Sequence, residues 1–202
     1  MSDTYPTWSS IRQHSRAPSS ELRQAILFSL ILACNTYVPP IRKNIEDMKF
    51  YYGLKNPEQK TRQNYVWRIK KNEYAIVMNY DKVENSRIKK DIPREIFKIN
   101  TEIEDTRGKQ ITNGKRLSEL IEMSLEDFPR EYLLCNLTDE EGLGPMTASS
   151  FNNSLKIIFK PRVPSQNMLR KAYVNYIYNS PDFRYMPYSF LQTVASSMRH
   201  TV

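Results

Sequence analysis

Residues 65–81, YVWRIKKNEYAIVMNYD, are the most strand-like stretch of the chain. β-Branched and aromatic residues dominate on both sides of the KKNE tetrapeptide at 70–73, a pattern typical of two strands joined by a turn. A third strand is expected after the turn at Asn85-Ser86, ending near Ile92-Pro93. The stretch therefore predicts a small antiparallel β-sheet.

Outside this sheet the residue patterns are mainly helical. The predicted helices cover 21–34, 94–99, 115–123, 147–159, 166–178 and 188–198, and 132–135 is expected to be a short buried strand or extended segment. Because the helices outnumber the strands and do not alternate with them, the predicted class is α+β, a mainly helical domain with a small sheet. Residues 1–20 are rich in Ser, lack an apolar period and are predicted to be a flexible tail.

The chain is basic, with a formal net charge of +8, and the excess is concentrated in its last quarter. Residues 154–202 hold seven basic side chains against the single acid Asp182, a net of +6. The seven are Lys156, Lys160, Arg162, Arg170, Lys171, Arg184 and Arg199. This distribution favours an anionic partner such as nucleic acid.

Several chemistries are excluded by residue type and spacing. Five glycines provide no phosphate loop or dinucleotide fingerprint, and no Ser lies in a G-x-S-x-G elbow. His14 and His200 stand at opposite ends of the chain, so no Cys/His cluster has metal spacing. The acid pairs at 46–47 and 140–141 are interpreted as solvated faces, and neither a metal nor a cofactor is predicted.

The cysteines and the apolar runs indicate an intracellular, soluble chain that does not enter a membrane. Cys34 and Cys135 lie in apolar contexts and are predicted to be buried free thiols. The longest apolar run, residues 25–34, has ten residues, against the roughly 20 that span a bilayer. No secretory signal is evident at the N-terminus.

Four short motifs occur in a fixed order along the chain: VPPIRKNIEDM at 38–48, which follows an apolar helix, NYDK at 79–82, SQNMLRKAY at 165–173 and MRHT at 198–201. Together they resemble the conserved elements of tyrosine recombinases from virophages, Polinton-type transposons and large DNA viruses. The motifs at 38–48, 165–173 and 198–201 resemble the first, second and third catalytic boxes, and NYDK resembles the β-hairpin that carries the family's lysine. REYLL at 130–134 also lies where these proteins have an R-x-Y-L-F stretch.

The resemblance implies that residues 21–202 form a catalytic domain of the DNA breaking-rejoining type. Its expected partner is double-stranded DNA, in a host nucleus or viral factory, with a homo-oligomer on DNA left open. The implied site residues are Arg42, Lys82, Asn167, Arg170 and His200. Fixed cations stabilise the charge that builds on a phosphate in the transition state, and Lys82 is expected to protonate the leaving 5′-oxygen.

Two substitutions and one missing residue separate this chain from the family pattern. Asn167 stands where the family has His, and Arg199 stands where it has Gly. The family's nucleophilic tyrosine, which forms the 3′-phosphotyrosyl intermediate, lies further beyond the third box than Val202. The domain is therefore expected to be truncated at its C-terminal side, and the chain as given is expected to bind DNA without forming the covalent link.

Two other functions stay open at this point. One is a non-catalytic DNA-binding protein that retains a decayed recombinase fold, and the other is a basic helical adaptor that docks an acidic protein. Tyr173, Tyr176 and Tyr178 on the predicted helix 166–178 are interpreted as packing residues rather than nucleophiles.

Overall fold

The computed structural model describes residues 22–40, 45–53, 63–78, 95–99, 103–136, 144–161 and 164–197. These residues form five α-helices and one four-stranded sheet, which confirms the predicted mixed α+β class. The helices are α1 (Leu22–Thr36), α2 (Gly114–Asp127), α3 (Ala148–Ile158), α4 (Gln166–Tyr178) and α5 (Tyr188–Ser197). The predicted tail at 1–20 and the strand proposed before Pro93 lie outside the described residues.

The sheet is assembled in sequence order from β1 (Lys49–Tyr51), β2 (Tyr65–Lys70), β3 (Glu73–Met78) and β4 (Glu95–Lys98). β2 and β3 form the predicted hairpin, and Asn72 at its turn has a φ of 57°, in the left-handed region that Asn tolerates. The prediction of a purely antiparallel sheet is wrong, because β1 runs parallel to β2. On the other side of β1, Leu133 N donates to Met48 O at 2.9 Å. The predicted segment 132–135 is buried from Leu133 to Cys135 and forms two isolated β-bridges, from Tyr132 to Lys49 and from Cys135 to Pro145.

Residues 95–98 are a strand, and the helix predicted over 94–99 is wrong. Ile76 is opposite Phe97 and Val77 is opposite Ile96 in an antiparallel ladder with β3. Ile96 and Phe97 are residue types that occur in strands at least as often as in short helices. Hydrogen bonding to the edge of β3 therefore decides that residues 95–98 form a strand.

Helix α1 forms the centre of the core. Leu30, Ile31 and Ala33 are almost fully buried, and the helix packs on α2, which in turn packs on β3. A helix that is apolar on all sides is stable only when protein surrounds it. None of the helices in the described ranges combines the length and apolarity that crossing a membrane requires.

A buried carboxylate joins α2 to the β2–β3 hairpin. Glu122 accepts hydrogen bonds from the Arg68 guanidinium, from the Tyr74 hydroxyl at 2.5 Å and from the Asn72 backbone N–H at 3.3 Å. Burial alone raises the pKa of Glu122, but the bonds from Tyr74 and Asn72 and the charge of Arg68 outweigh burial and keep that pKa below its ordinary value. The hairpin turn is therefore anchored to the helix by an ionised group.

Candidate nucleic-acid interface

The N-terminus of α4 carries the two described residues of the predicted site. Ser165 caps the helix, since its hydroxyl accepts from the Met168 backbone N–H at 3.3 Å. This cap fixes where the helix begins, so Asn167 lies in the first turn and Arg170 follows one turn later on the same side. The helix has the bounds that the sequence predicted.

The structure brings Asn167 and Arg170 into contact. Arg170 is 6% exposed, and its Nη1 donates to Asn167 Oδ1 at 3.3 Å. The Asn167 amide oxygen accepts from the guanidinium, and its NH₂ group provides two donors for a further partner. The exposed Asn167 therefore presents donors near a helix N-terminus, where the backbone dipole favours an anion, and the buried Arg170 lies directly behind it.

A buried pair of amides fixes this helix start against the end of α1. Gln166 Nε2 donates to Asn35 Oδ1 at 2.9 Å, and Asn35 Nδ2 donates to Ile31 O at 2.7 Å. Shortly after α1, Val38 to Pro40 are buried, and they are the first three residues of the first predicted box. The second box is thus anchored to the helix that precedes the first.

The other three predicted site residues, Arg42, Lys82 and His200, lie outside the described residues, as does Arg199. Of the predicted site, the described part of the chain therefore places Asn167 and Arg170 together. Within the same ranges no three His, Cys, Asp or Glu side chains are grouped so that they could hold a metal ion.

Arg130 holds the polypeptide that follows α2. It is 8% exposed, and Nη1 donates to Ser124 O at 3.0 Å and to Phe128 O at 2.9 Å, while Nε and Nη2 both donate to Leu133 O at 3.2 Å. Burial lowers the pKa of Arg130. The first of these carbonyls belongs to the last turn of α2, so Arg130 caps that helix and is not directed at a ligand.

Sequence reasoning did not find the charged cluster that docks a β-turn onto the segment between α4 and α5. Arg107 Nη2 bonds Asp105 and Asp182, both at 2.6 Å, and Lys109 Nζ bonds Asp182 at 2.8 Å. The hydrogen bond from Arg107 keeps the pKa of Asp105 below its ordinary value, and the bonds from Lys109 and Arg107 do the same for Asp182. The turn at 103–111 is thereby fixed beside the C-terminal end of α4.

An aromatic and basic surface adjoins this cluster. Tyr178 is 67% exposed and stacks on Phe183, with 5.1 Å between ring centroids. The ring of Tyr185 lies 3.9 Å from the Arg107 guanidinium and 4.7 Å from that of Arg184. Tyr173 is buried, as its interpretation as a packing residue implies, and Tyr178 packs on Phe183 while most of its surface stays exposed.

A cavity of about 160 Å³ opens between the 103–111 turn and α4. Its lining combines Tyr173 and Tyr176 from α4 with Asp105, Lys109 and Asp182. Since the last three are bound to one another or to Arg107, the polar side of the cavity is internally paired. The cavity is therefore a feature of the docked turn.

Comparison of the chain with family models, with curated proteins and with solved structures gives no match.

Proposed function

We propose that this chain is a DNA-binding domain of the tyrosine recombinase type, which binds a phosphodiester for strand cleavage and rejoining. The observation that carries the proposal is the contact of buried Arg170 with Asn167 at the start of α4, anchored through Gln166 to the end of α1. A buried, pre-positioned guanidinium suits a phosphate because its planar fork matches two phosphate oxygens and its charge is permanent.

The net charge of the surrounding segment supports the same partner. Residues 154–202 carry a net charge of +6, and Arg170 and Lys171 lie in the second box itself. Duplex DNA attracts such a surface through counterion release, with little regard to sequence. The order of the boxes along the chain, first arginine, lysine, Asn-x-x-Arg and a late histidine, adds the resemblance to strand-exchange enzymes.

In this proposal the chemistry follows from charge build-up on the scissile phosphate. Arg42, Arg170 and His200 stabilise the non-bridging oxygens, Asn167 contributes N–H donors, and Lys82 protonates the departing 5′-oxygen. The attacking tyrosine is supplied from beyond the third box, and this chain provides the phosphate-binding groups.

One observation favours a second candidate, a recombinase-like protein that binds DNA without cutting it. An amide has no proton to transfer at neutral pH, and the Asn167 oxygen is already an acceptor for Arg170. The position can therefore hold a phosphate but cannot perform acid–base work.

The first test is the salt dependence of duplex binding, measured by fluorescence anisotropy with the full chain. Arg170→Gln should weaken binding by about tenfold and lower the slope of log K against log salt by about 0.9, the loss of one phosphate contact. Arg116→Gln is the matched control, because Arg116 is an exposed helical arginine whose nearest acid, Glu119, is 3.7 Å away. Equal slopes for the two variants would refute the phosphate role of Arg170.

Cleavage is tested separately, with a suicide DNA substrate and a protein extended past Val202 along its reading frame. A covalent adduct that disappears in Arg170→Gln supports the recombinase. Salt-dependent binding with no adduct supports the non-catalytic DNA-binding protein. Absence of salt-dependent binding refutes both and leaves the adaptor.

A further inference from the structure

One exposed face of α4 connects the Asn167–Arg170 site to the aromatic surface at the other end of the helix. Asn167, Lys171, Val174 and Tyr178 are spaced i, i+4, i+7 and i+11, and therefore share that face. Asn167, Lys171 and Tyr178 are exposed along it, and Val174 between them is partly buried against the core. Tyr173 and Ile177 are buried. At 1.5 Å per residue the face is roughly 16 Å long.

Tyr178 is placed to stack a second ring. One face of its side chain lies on Phe183 at an interplanar angle of 27°, and with 67% of the residue exposed the opposite face is open to water. Phe183 begins a short 3₁₀ turn that also carries Arg184 and Tyr185, and Arg184 is exposed. The Tyr178 ring has Lys171 two turns earlier on the same helix, and Arg184 is next in sequence to its stacking partner Phe183. This arrangement combines the two features that hold unpaired nucleotides, stacking and phosphate attraction.

We infer that this face of α4 binds single-stranded DNA, with an unpaired base stacked on Tyr178 and the strand running toward Asn167. The inference depends on the proposed function, in that the same strand reaches the Asn167–Arg170 phosphate site. In a duplex the base faces are covered by neighbouring pairs, so an open tyrosine ring selects unpaired bases.

The test compares two labelled 12-nucleotide strands, oligo(dT) and an abasic strand with the same number of phosphates, by fluorescence anisotropy on the full chain. Tyr178→Leu should weaken oligo(dT) binding by about 5- to 150-fold, the range for losing one stacked base, and should leave the abasic strand unchanged. Tyr178→Phe should bind as the wild type does, because the ring is kept. Arg184→Gln should weaken binding of both strands.

Tyr52→Leu is the matched control for exposure and for ring contact. Tyr52 is 55% exposed and lies 6.1 Å from the ring of Phe50, yet it is next to β1 and away from α4. Equal oligo(dT) affinity for Tyr178→Leu and Tyr52→Leu would overturn the inference, as would duplex binding with no binding of oligo(dT). If the wild-type protein bound neither duplex nor single-stranded DNA, the proposed function itself would be refuted.

Discussion

Replacing Glu122 with Gln tests the buried ionic connection between α2 and the β2–β3 hairpin. The wild-type carboxylate accepts from the Arg68 guanidinium at one oxygen, and from the Tyr74 hydroxyl and the Asn72 N–H at the other. Glutamine has nearly the same shape but carries an NH₂ group in place of one oxygen. At least one of these donors then faces another donor.

The expected loss is about 2–3 kcal/mol of unfolding free energy. A hydrogen bond to a charged group contributes about 1.5–3 kcal/mol, and breaking a fully buried ion pair costs about 3–5 kcal/mol. The Arg68 side chain is 33% exposed and can be hydrated once its partner is neutral. The expected loss therefore lies below the range for a fully buried ion pair and within the range for a hydrogen bond to a charged group.

The measurement is urea unfolding followed by far-UV circular dichroism. Glu119→Gln is the control, because Glu119 lies one turn earlier on α2 with its side chain 37% exposed, and its loss should cost under about 0.5 kcal/mol. If Glu122→Gln were as stable as Glu119→Gln, the ionic account of this contact would be wrong.

The pH dependence gives an independent check on the same group. The pKa of Glu122 is lowered in the folded state from an ordinary value of 4.5, so its ionic contribution is complete at neutral pH. That contribution is lost as the pH falls below about 4.5 toward the folded-state pKa. The stability gap between wild type and Glu122→Gln should therefore be full at pH 7 and should narrow in acid.

Three further predictions concern other described side chains. Arg130→Lys should destabilise the fold by about 3 kcal/mol in thermal unfolding, since one ammonium cannot satisfy the carbonyls that the guanidinium binds, while duplex affinity of the folded protein stays unchanged. Cys34 and Cys135 should not react with a thiol reagent at pH 8 until the protein is denatured, because burial raises the pKa of Cys34 to about 12 and also raises that of Cys135. Asp182→Asn should lower the melting temperature more in low salt than in 1 M salt, because it removes a partly exposed ionic partner of Arg107 and Lys109; a salt-independent loss would contradict this.

Local patterns in the sequence predicted the helices well and the sheet only in part. Helix α4 has its predicted bounds because Ser165 caps it and its apolar residues repeat with a helical period. β4 was predicted as a helix because its four residues have no strong local preference, and their strand conformation depends on pairing with β3. β1 was missed for a similar reason, since a three-residue parallel strand depends on a partner distant in sequence.

In the candidate site, too, contacts between residues close in sequence were predictable and contacts between distant residues were not. The contact between Asn167 and Arg170 was predictable because it is an i, i+3 pair on a helix. The hydrogen bond from Gln166 to Asn35 joins residues 131 positions apart, so no local sequence pattern could predict it. The exposed ring of Tyr178 was also missed, because a tyrosine in an apolar helix is normally a packing residue, and only the position of Phe183 shows which face stays open.

Arg130 and Arg170 together form an internal comparison for the proposed function. They are almost equally exposed, at 8% and 6%, so burial alone does not separate a structural arginine from a phosphate-binding one. Arg130 binds backbone carbonyls at and just after the end of α2, and one contact of Arg170 is with the Asn167 amide in the first turn of α4. Substitution of Arg130 should therefore lower stability with affinity unchanged. Substitution of Arg170 should lower the duplex affinity, and the slope of log K against log salt, in protein that is still folded. A phosphate-binding role requires this result, which is the reverse of the one expected for Arg130.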